Sequence, residues 1–295
     1  MADLNQTSQI RSAFGQLMKQ EVLEEYQTAS IVRAIAQQVQ LNGQGKAIVV
    51  KVLDEEDDNA MSDYLPYDDN TFGVARTETI ELVPDQQKFV GIDFDSVEYA
   101  MTNVNVREAK IRIEANRMAL ALDHHVLDKM REAEGIQKVE VALSKQNIYG
   151  AINDAVRKLD AVEVPAQGRV ILMNWKTLSM LEQSPEFVGN FHVATEQRGL
   201  VDIPVSGCEV RVSNLLQDGE ILVVHKDAVA IVDLIQKERV GEHEKNFTEY
   251  FKALFVFGAE VLRPKSIVRI AAEDESGESG ESGESGEDET VTPEE

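Results

Sequence analysis

Six apolar residues, Ile111, Ala115, Met118, Leu122, Val126 and Met130, follow one another at steps of 4, 3, 4, 4 and 4. On a 3.6-residue period they form one continuous stripe, and Arg107, Glu108, Arg112 and Arg117 occupy the other faces. The pattern predicts a single helix over 104–134, about 45 Å long at 1.5 Å per residue. A helix of that length is a spine, and the rest of the chain must supply what covers its stripe. With 295 residues, 43% of them hydrophobic, the chain can form one large core or two modest ones.

Before the spine, Ile10, Phe14, Leu17, Met18, Val22, Tyr26, Ile31, Ile35 and Val39 fall near a helical period, which predicts a helix over 8–41 stopped by Gly43 and Gly45. AIVVKVL (47–53) reads as a strand, and 75–95 as a second β region with a turn or edge position at Pro84. Between them, 54–74 holds eight acids and no base, interleaved with Tyr64, Tyr67 and Phe72. Two strands with a long acidic connection make a protruding hairpin arm, which buries too little of itself to be stable alone and so must lie on something else.

After Gly135 the pattern turns mixed α/β: a helix over 145–160, a buried strand at 169–173, a short helix capped by Asn174 and running through Leu181, and a further helix starting at Ser184-Pro185. Strands follow at 208–213, 220–225 and 228–235, separated by Asp-Gly and Lys-Asp turns. An aromatic β region at 246–264 and a last strand at 266–270 close the pattern. Residues 273–295, with a repeated Glu-Ser-Gly triplet, eleven acids and no base, read as a disordered tail. Its expected place is one exposed face of whatever the chain forms.

Charge narrows the function. Fifty-three Asp and Glu against 29 Lys and Arg give a net charge of −24, which repels polyphosphate and anionic lipid and argues against wrapping nucleic acid or lying on a membrane. No apolar run approaches the roughly 18 residues of a membrane span, and the first residues lack the basic-then-apolar order of a secretory signal. The single cysteine, Cys208, excludes an internal disulfide and a cysteine-based zinc cluster, and reads as a small core residue of a soluble protein in a reducing compartment.

Catalytic patterns fail one by one. GQGK (43–46) has Gln40 and Ala47 where a phosphate loop needs a glycine and a hydroxyl. His124 and His125 are adjacent and point about 100° apart on a helix; His124 and Asp128 share a face, where an i,i+4 ion pair or hydrogen bond is favoured over a zinc site. Glu242-His243-Glu244 reads as a solvated turn, and His192 and His225 have no partner in sequence. The acidic stretch 54–69 contains no glycine, so it is not an EF-hand loop, and a solvated, self-repelling loop is its default reading. No G-x-S-x-G elbow or Cys/His signature occurs. No catalytic residue, metal ligand or cofactor is assigned.

Several passages carry a family resemblance in order along the chain. LDHHVLDKM (122–130), VEVPAQGRVILMNWKTLSMLEQSPEF (162–187), GLVDIPVSGCEVRVSNLL (199–216), HKDAVAIVDL (225–234) and FGAEVLRPKSIVRI (257–270) resemble successive segments of the major capsid proteins of tailed bacteriophages. The element order resembles them too. The resemblance implies an α+β phage major-capsid fold with an N-terminal arm (1–45), an extended β-hairpin arm (46–92), a peripheral domain containing the spine helix (93–145 and 241–270) and a mixed α/β axial domain (146–240), with the acidic tail (271–295) as an addition. It implies a structural, non-enzymatic shell protein that forms pentamers and hexamers in the icosahedral head of a virion. That head encloses double-stranded DNA without sequence-specific binding and is assembled in the host bacterial cytoplasm, and no membrane is involved. The implied partners are copies of itself, a portal protein and, where one is present, a decoration protein.

Some relatives lock their shells by a lysine-to-asparagine bond from the arm. No lysine occurs in 54–87 here, so no such bond is expected from the arm's tip. Only 46 residues precede the first β run, too few for a built-in scaffold of the size some relatives carry, so a separate scaffolding protein is expected. Exposed aromatics in arms are the expected contact residues: Phe14, Tyr26, Tyr64, Tyr67 and Phe72. An encapsulin-type nanocompartment shell shares the fold and is the nearest alternative. A metal-dependent hydrolase using His124, Asp128 and acidic neighbours is the alternative from a different class.

Overall fold

The computed structural model describes residues 2–40, 47–53, 76–95, 106–186, 205–243 and 248–272. The helices are α1 (Ala2–Ala29), α2 (Val106–Glu132), α3 (Ile148–Ala161) and α4 (Trp175–Glu182). The strands are β1 (Gln37–Gln38), β2 (Ala47–Leu53), β3 (Arg76–Leu82), β4 (Gln86–Asp95), β5 (Gln137–Glu140), β6 (Arg169–Met173), β7 (Glu209–Val212), β8 (Ile221–His225), β9 (Val229–Glu242), β10 (Thr248–Val261) and β11 (Ile267–Ala271). The arm's acidic connection, the glycine-bearing stretch 43–46, His192 and the Glu-Ser-Gly tail lie outside the described residues, as does everything beyond Glu186 of the helix expected from Ser184-Pro185.

The spine forms as its spacing requires. All six stripe residues of α2 are buried, together with Ala119 and Leu127, and Lys129 and Arg131 in the last turn complement the helix dipole. The stripe packs against α1 and against a four-stranded sheet of order β1-β9-β10-β4. Met18, Val22 and Tyr26 of α1, Phe251, Phe255 and Phe257 of β10 and Val90, Ile92 and Phe94 of β4 join α2 in one core.

The first helix does not continue to residue 41. It stops at Ala29, and a 3-10 turn at Val32–Ala34 leads into β1, which pairs in parallel with β9. The cause is tertiary. The Asp123 carboxylate on α2 accepts hydrogen bonds from Ser30 Oγ (2.6 Å) and from the Ile31 and Val32 amides (3.1 and 3.2 Å). Those contacts turn the chain even though the apolar period continues through Ile35.

A second sheet has the order β5-β11-β8-β6-β7. One face carries Ile171, Met173, Ile221, Val223, Val268 and Ile270 against α3 and α4; the other turns Val170, Leu172, Leu222, Val224 and Ile267 toward the spine's core. Asn174 caps α4 as expected, its Oδ1 accepting the Thr177 amide at 2.7 Å. The two sheets are joined where β8 runs into β9 and β10 into β11, and there the Ala228 carbonyl accepts the Leu262 and Arg263 amides (2.8 and 3.1 Å).

The last strand, β11, therefore sits inside the α/β sheet, and most of β9 lies in the spine's sheet. Strand pairing groups 267–271 with the lobe that sequence placed at 146–240, and most of 229–240 with the spine. Likewise the β region read over 75–95 is two strands with different partners. β3 pairs with β2 from Arg76↔Leu53 to Leu82↔Ala47, while β4 leaves at Val83-Pro84-Asp85 and pairs along β10. No helix among the described residues is long and apolar enough to cross a membrane.

Candidate assembly surfaces

Where the arm meets the body, Ile80 and Leu82 of β3 pack with Val39, Ala230, Val232 and Leu262 on the outer face of the four-stranded sheet, the face turned away from the spine. The turn at Val83-Pro84 crosses directly over Gly258. A Cβ there would stand 2.7 Å from the Val83 carbonyl oxygen and 2.8 Å from Pro84 Cα, both backbone atoms. Only glycine lets the chain pass at this distance.

Beyond the arm's foot the same outer face carries exposed residues, Phe89, Lys237 and Arg239 among them. Val90, Ile92 and Phe94 point inward, so strand alternation sends Phe89 and Gly91 outward. Phe89 is 73% exposed, and its ring folds back over Gly91. The register sets Phe89 opposite Leu254 and Leu254 opposite Lys237, then Gly91 opposite Lys252 and Lys252 opposite Arg239. Lys252 Nζ lies 4.9 Å from the centre of the Tyr250 ring. At the far end His243 Nε2 is 3.1 Å from Asp93. The outer face thus carries an apolar strip, Phe89 and Leu254, beside three cations from two strands, on a protein of net charge −24. Other apolar side chains stand in solvent singly: Leu17 on α1, Ile113 and Leu120 seven residues apart on α2, and Trp175 at the first position of α4.

The sequence-expected contact residues have different fates. Tyr26 is fully buried inside the subunit, edge-on to Phe255 at 5.3 Å, with the Arg33 guanidinium 5.4 Å from its ring centre. Burial, with Asp233 beside it, pushes its hydroxyl well above the ordinary phenol range. This aromatic holds α1 to the sheet. Phe14 lies on α1; Tyr64, Tyr67 and Phe72 lie outside the described residues. Phe89 and its basic neighbours were not singled out by sequence. The alternation in QQKFVGIDFD (86–95) and QKERVG (236–241) carries the signal, but it has no meaning until both stretches are known to be strands of one sheet.

The polar candidates are structural. Asp128 pairs with Arg131 at 2.9 Å and not with His124. His125 lies 3.3 Å from Asp85 and edge-on to Phe257, so it braces the turn that leads out of the arm. Cys208 is buried, and burial raises its thiol above the usual range. Among the described residues no three His, Cys, Asp or Glu side chains gather as metal ligands would.

A dense charge cluster among the described residues is also internal. Glu220, nearly inaccessible, accepts from Arg131 Nε and Nη2 (3.0 and 2.8 Å), from Arg269 Nε (3.0 Å) and from the Gln217 amide (3.1 Å). Burial alone would raise this carboxyl, but the Arg131 hydrogen bonds, the amide and the two guanidinium charges leave it below the usual carboxylate range. The cluster ties the end of the spine to the α/β sheet.

No protein-family model matches the chain, and no curated protein matches it by sequence. Solved structures do match. The capsid of cyanophage P-SCSP1u superimposes with a TM-score of 0.61 at 17% identity, over 83% of this chain and 89% of that one. A structure from Mycobacterium phage Che8 gives 0.57 at 19%, over 77% and 84%. A virus-like particle from Pyrococcus furiosus gives 0.55 at 13%, over 87% and 99%. The chain has the α+β fold of phage major capsid proteins.

Proposed function

We propose that this chain is the repeated shell subunit of a tailed-phage head, a structural protein and not an enzyme. Copies associate into pentamers and hexamers, and these close into an icosahedral shell around double-stranded DNA that is held without sequence-specific contacts. The observation that carries the reading is the near full-length likeness, over 83% of this chain and 89% of the other, to a phage capsid subunit. The physics of the surface supports it. An arm based on a two-stranded ladder gains stability only against another body, and many modest contacts sum over the symmetric interfaces of a closed shell. A net charge of −24 keeps packaged DNA from adhering to the wall.

On this reading the partners are copies of the chain, a separate scaffolding protein, a portal protein and, where one is present, a decoration protein. The protein resides in the virion after assembly in the host bacterial cytoplasm. The lobe with the five-stranded sheet is the axial one, and the lobe with the spine is peripheral. An encapsulin-type compartment shell is the second reading, favoured by the match to the Pyrococcus furiosus virus-like particle.

Electron microscopy and size-exclusion chromatography of the full chain expressed alone test both. Capsomer-sized rings, tubes or irregular shells are the expected result for a phage subunit deprived of its scaffold. Uniform closed shells would move the assignment to the self-assembling compartment. A compact monomer under all conditions would overturn both readings.

A further inference from the structure

We propose that His225 is a proton-operated latch at the joint between the two sheets: as a neutral ring it pins the turn that both connections share, and on taking up a proton it lets that turn go. The device belongs to the fold of the single subunit and does not rest on the shell reading.

The ring closes β8 just before the chain crosses into the other sheet, and it is 6% exposed. Both nitrogens are engaged. Nδ1 lies 3.2 Å from the Asp227 amide nitrogen and Nε2 lies 3.0 Å from the Gln167 carbonyl oxygen. An amide can only donate and a carbonyl can only accept, so the neutral ring carries its proton on Nε2 and offers a lone pair at Nδ1. That lone pair fixes the middle of a tight turn. Lys226 donates its amide to the Gly168 carbonyl (3.1 Å), and Ala228 closes the turn by donating to the His225 carbonyl (2.9 Å). The Ala228 carbonyl then accepts the Leu262 and Arg263 amides, which fastens the second crossing between the sheets to the first. On the other side of the ring Gly168, at φ +90°, passes so near that a Cβ would stand 3.3 Å from Nε2.

A second proton turns Nδ1 from acceptor to donor. It then faces the Asp227 N–H with an N–H of its own, and that hydrogen bond is lost. A replacement stands close by. The Asp227 carboxylate is 3.8 Å from Nδ1, too far for a hydrogen bond in the neutral state. Reaching it requires residue 227 to turn, and Ala228 is the next residue. The other charges around the ring offer no such partner. Arg169, opposite His225 on β6, repels the added charge, and its guanidinium is committed to the Val164 and Pro165 carbonyls and to Asp160 of α3. Lys226 pairs with Glu209 of β7 at 3.7 Å. The exchange trades one partner for another, so its mark is a local change in the turn and not a large loss of stability. Imidazole is the side chain whose charge ordinarily changes between about pH 5 and 8.

Hydrogen exchange of the full chain, read by mass spectrometry and corrected for the intrinsic rate at each pH, tests this. Peptides covering 225–230 and 260–265 are expected to lose protection at least tenfold between pH 8 and pH 5.5, while those from α3 keep theirs. In His225→Asn the side-chain oxygen takes the place of Nδ1 as acceptor for the Asp227 amide and does not titrate. Protection at 225–230 in that variant should be the same at both pH values. Equal loss in His225→Asn and wild type would assign the change to another group, such as His125 beside Asp85 or His243 beside Asp93, and overturn the proposal. Unchanged protection in the wild type would overturn it as well. Should His225→Asn fail to fold, Asp227→Asn decides. It keeps the amide and removes the carboxylate that receives the protonated ring, so the loss of protection should move to lower pH; a profile identical to wild type would sink the latch.

Discussion

Glu220 and Asp123 are both buried carboxylates, and their surroundings treat them oppositely. Around Glu220 two guanidinium groups outweigh burial and hold the carboxyl below its ordinary range. Around Asp123 burial outweighs the hydrogen bonds from Ser30, Ile31 and Val32, and the carboxyl is raised. The consequences for stability have opposite sign. A depressed native value means the unfolded chain binds protons more readily, so Glu220 contributes stability above the ordinary glutamate value of 4.5 and loses it as pH falls below that. Asp123 favours the native state most in acid and loses that contribution as pH rises through its raised value. Replacing Glu220 with Gln removes the carboxylate that Arg269 and Arg131 share, their side chains being 18% and 17% exposed, leaves Arg131 only its pair with Asp128, and is expected to cost about 3 kcal/mol at neutral pH. Thermal melts from pH 7 to pH 3 should show the wild type converging on the variant as acid removes the same charge. Curves that stay parallel would show that the cluster does not set the acid limit.

Elements here are defined by their neighbours as much as by their own patterns. α2 was legible because a stripe of six residues over five turns has one physical reading, and the structure buries every member. α1 was overextended because apolar periodicity cannot report a carboxylate that arrives from 91 to 93 residues away to turn the chain. β9 was read too short, since QKERVGE (236–242) looks like surface until β10 pairs with it. The foot of the arm depends on one close approach. Gly258→Ala forces a methyl against the Val83 carbonyl and Pro84 Cα, and an overpacked backbone contact costs about 1–3 kcal/mol. A melting temperature several degrees below wild type is expected. Gly150→Ala on α3, with nothing within 4 Å of its new methyl, serves as the control and should stabilise by up to about 1 kcal/mol. If the two substitutions behave alike, close packing at the arm's foot is not what holds it.

At the scale of the whole molecule, the absence of lysine from 54–87 bears on how a shell would be locked. Particles purified from the assembled state and boiled in denaturant should run as monomer, because the arm's tip offers no amine for a bond to a neighbour; a ladder of covalent multimers would refute this. Residue order alone determined the spine, the two strands at the base of the hairpin, the buried strand at 169–173 and the Asn174 cap, because each is written in local spacing. It also carried the resemblance that anticipated the fold. Only the tertiary structure decided that β11 belongs to the α/β sheet, that β4 leaves the arm for the spine's sheet, that Tyr26 is core, and that Phe89 stands beside three cations. Those facts are pairings between segments tens to hundreds of residues apart. No local period records them, since the same alternating strand can face either way until its partner fixes which side is buried.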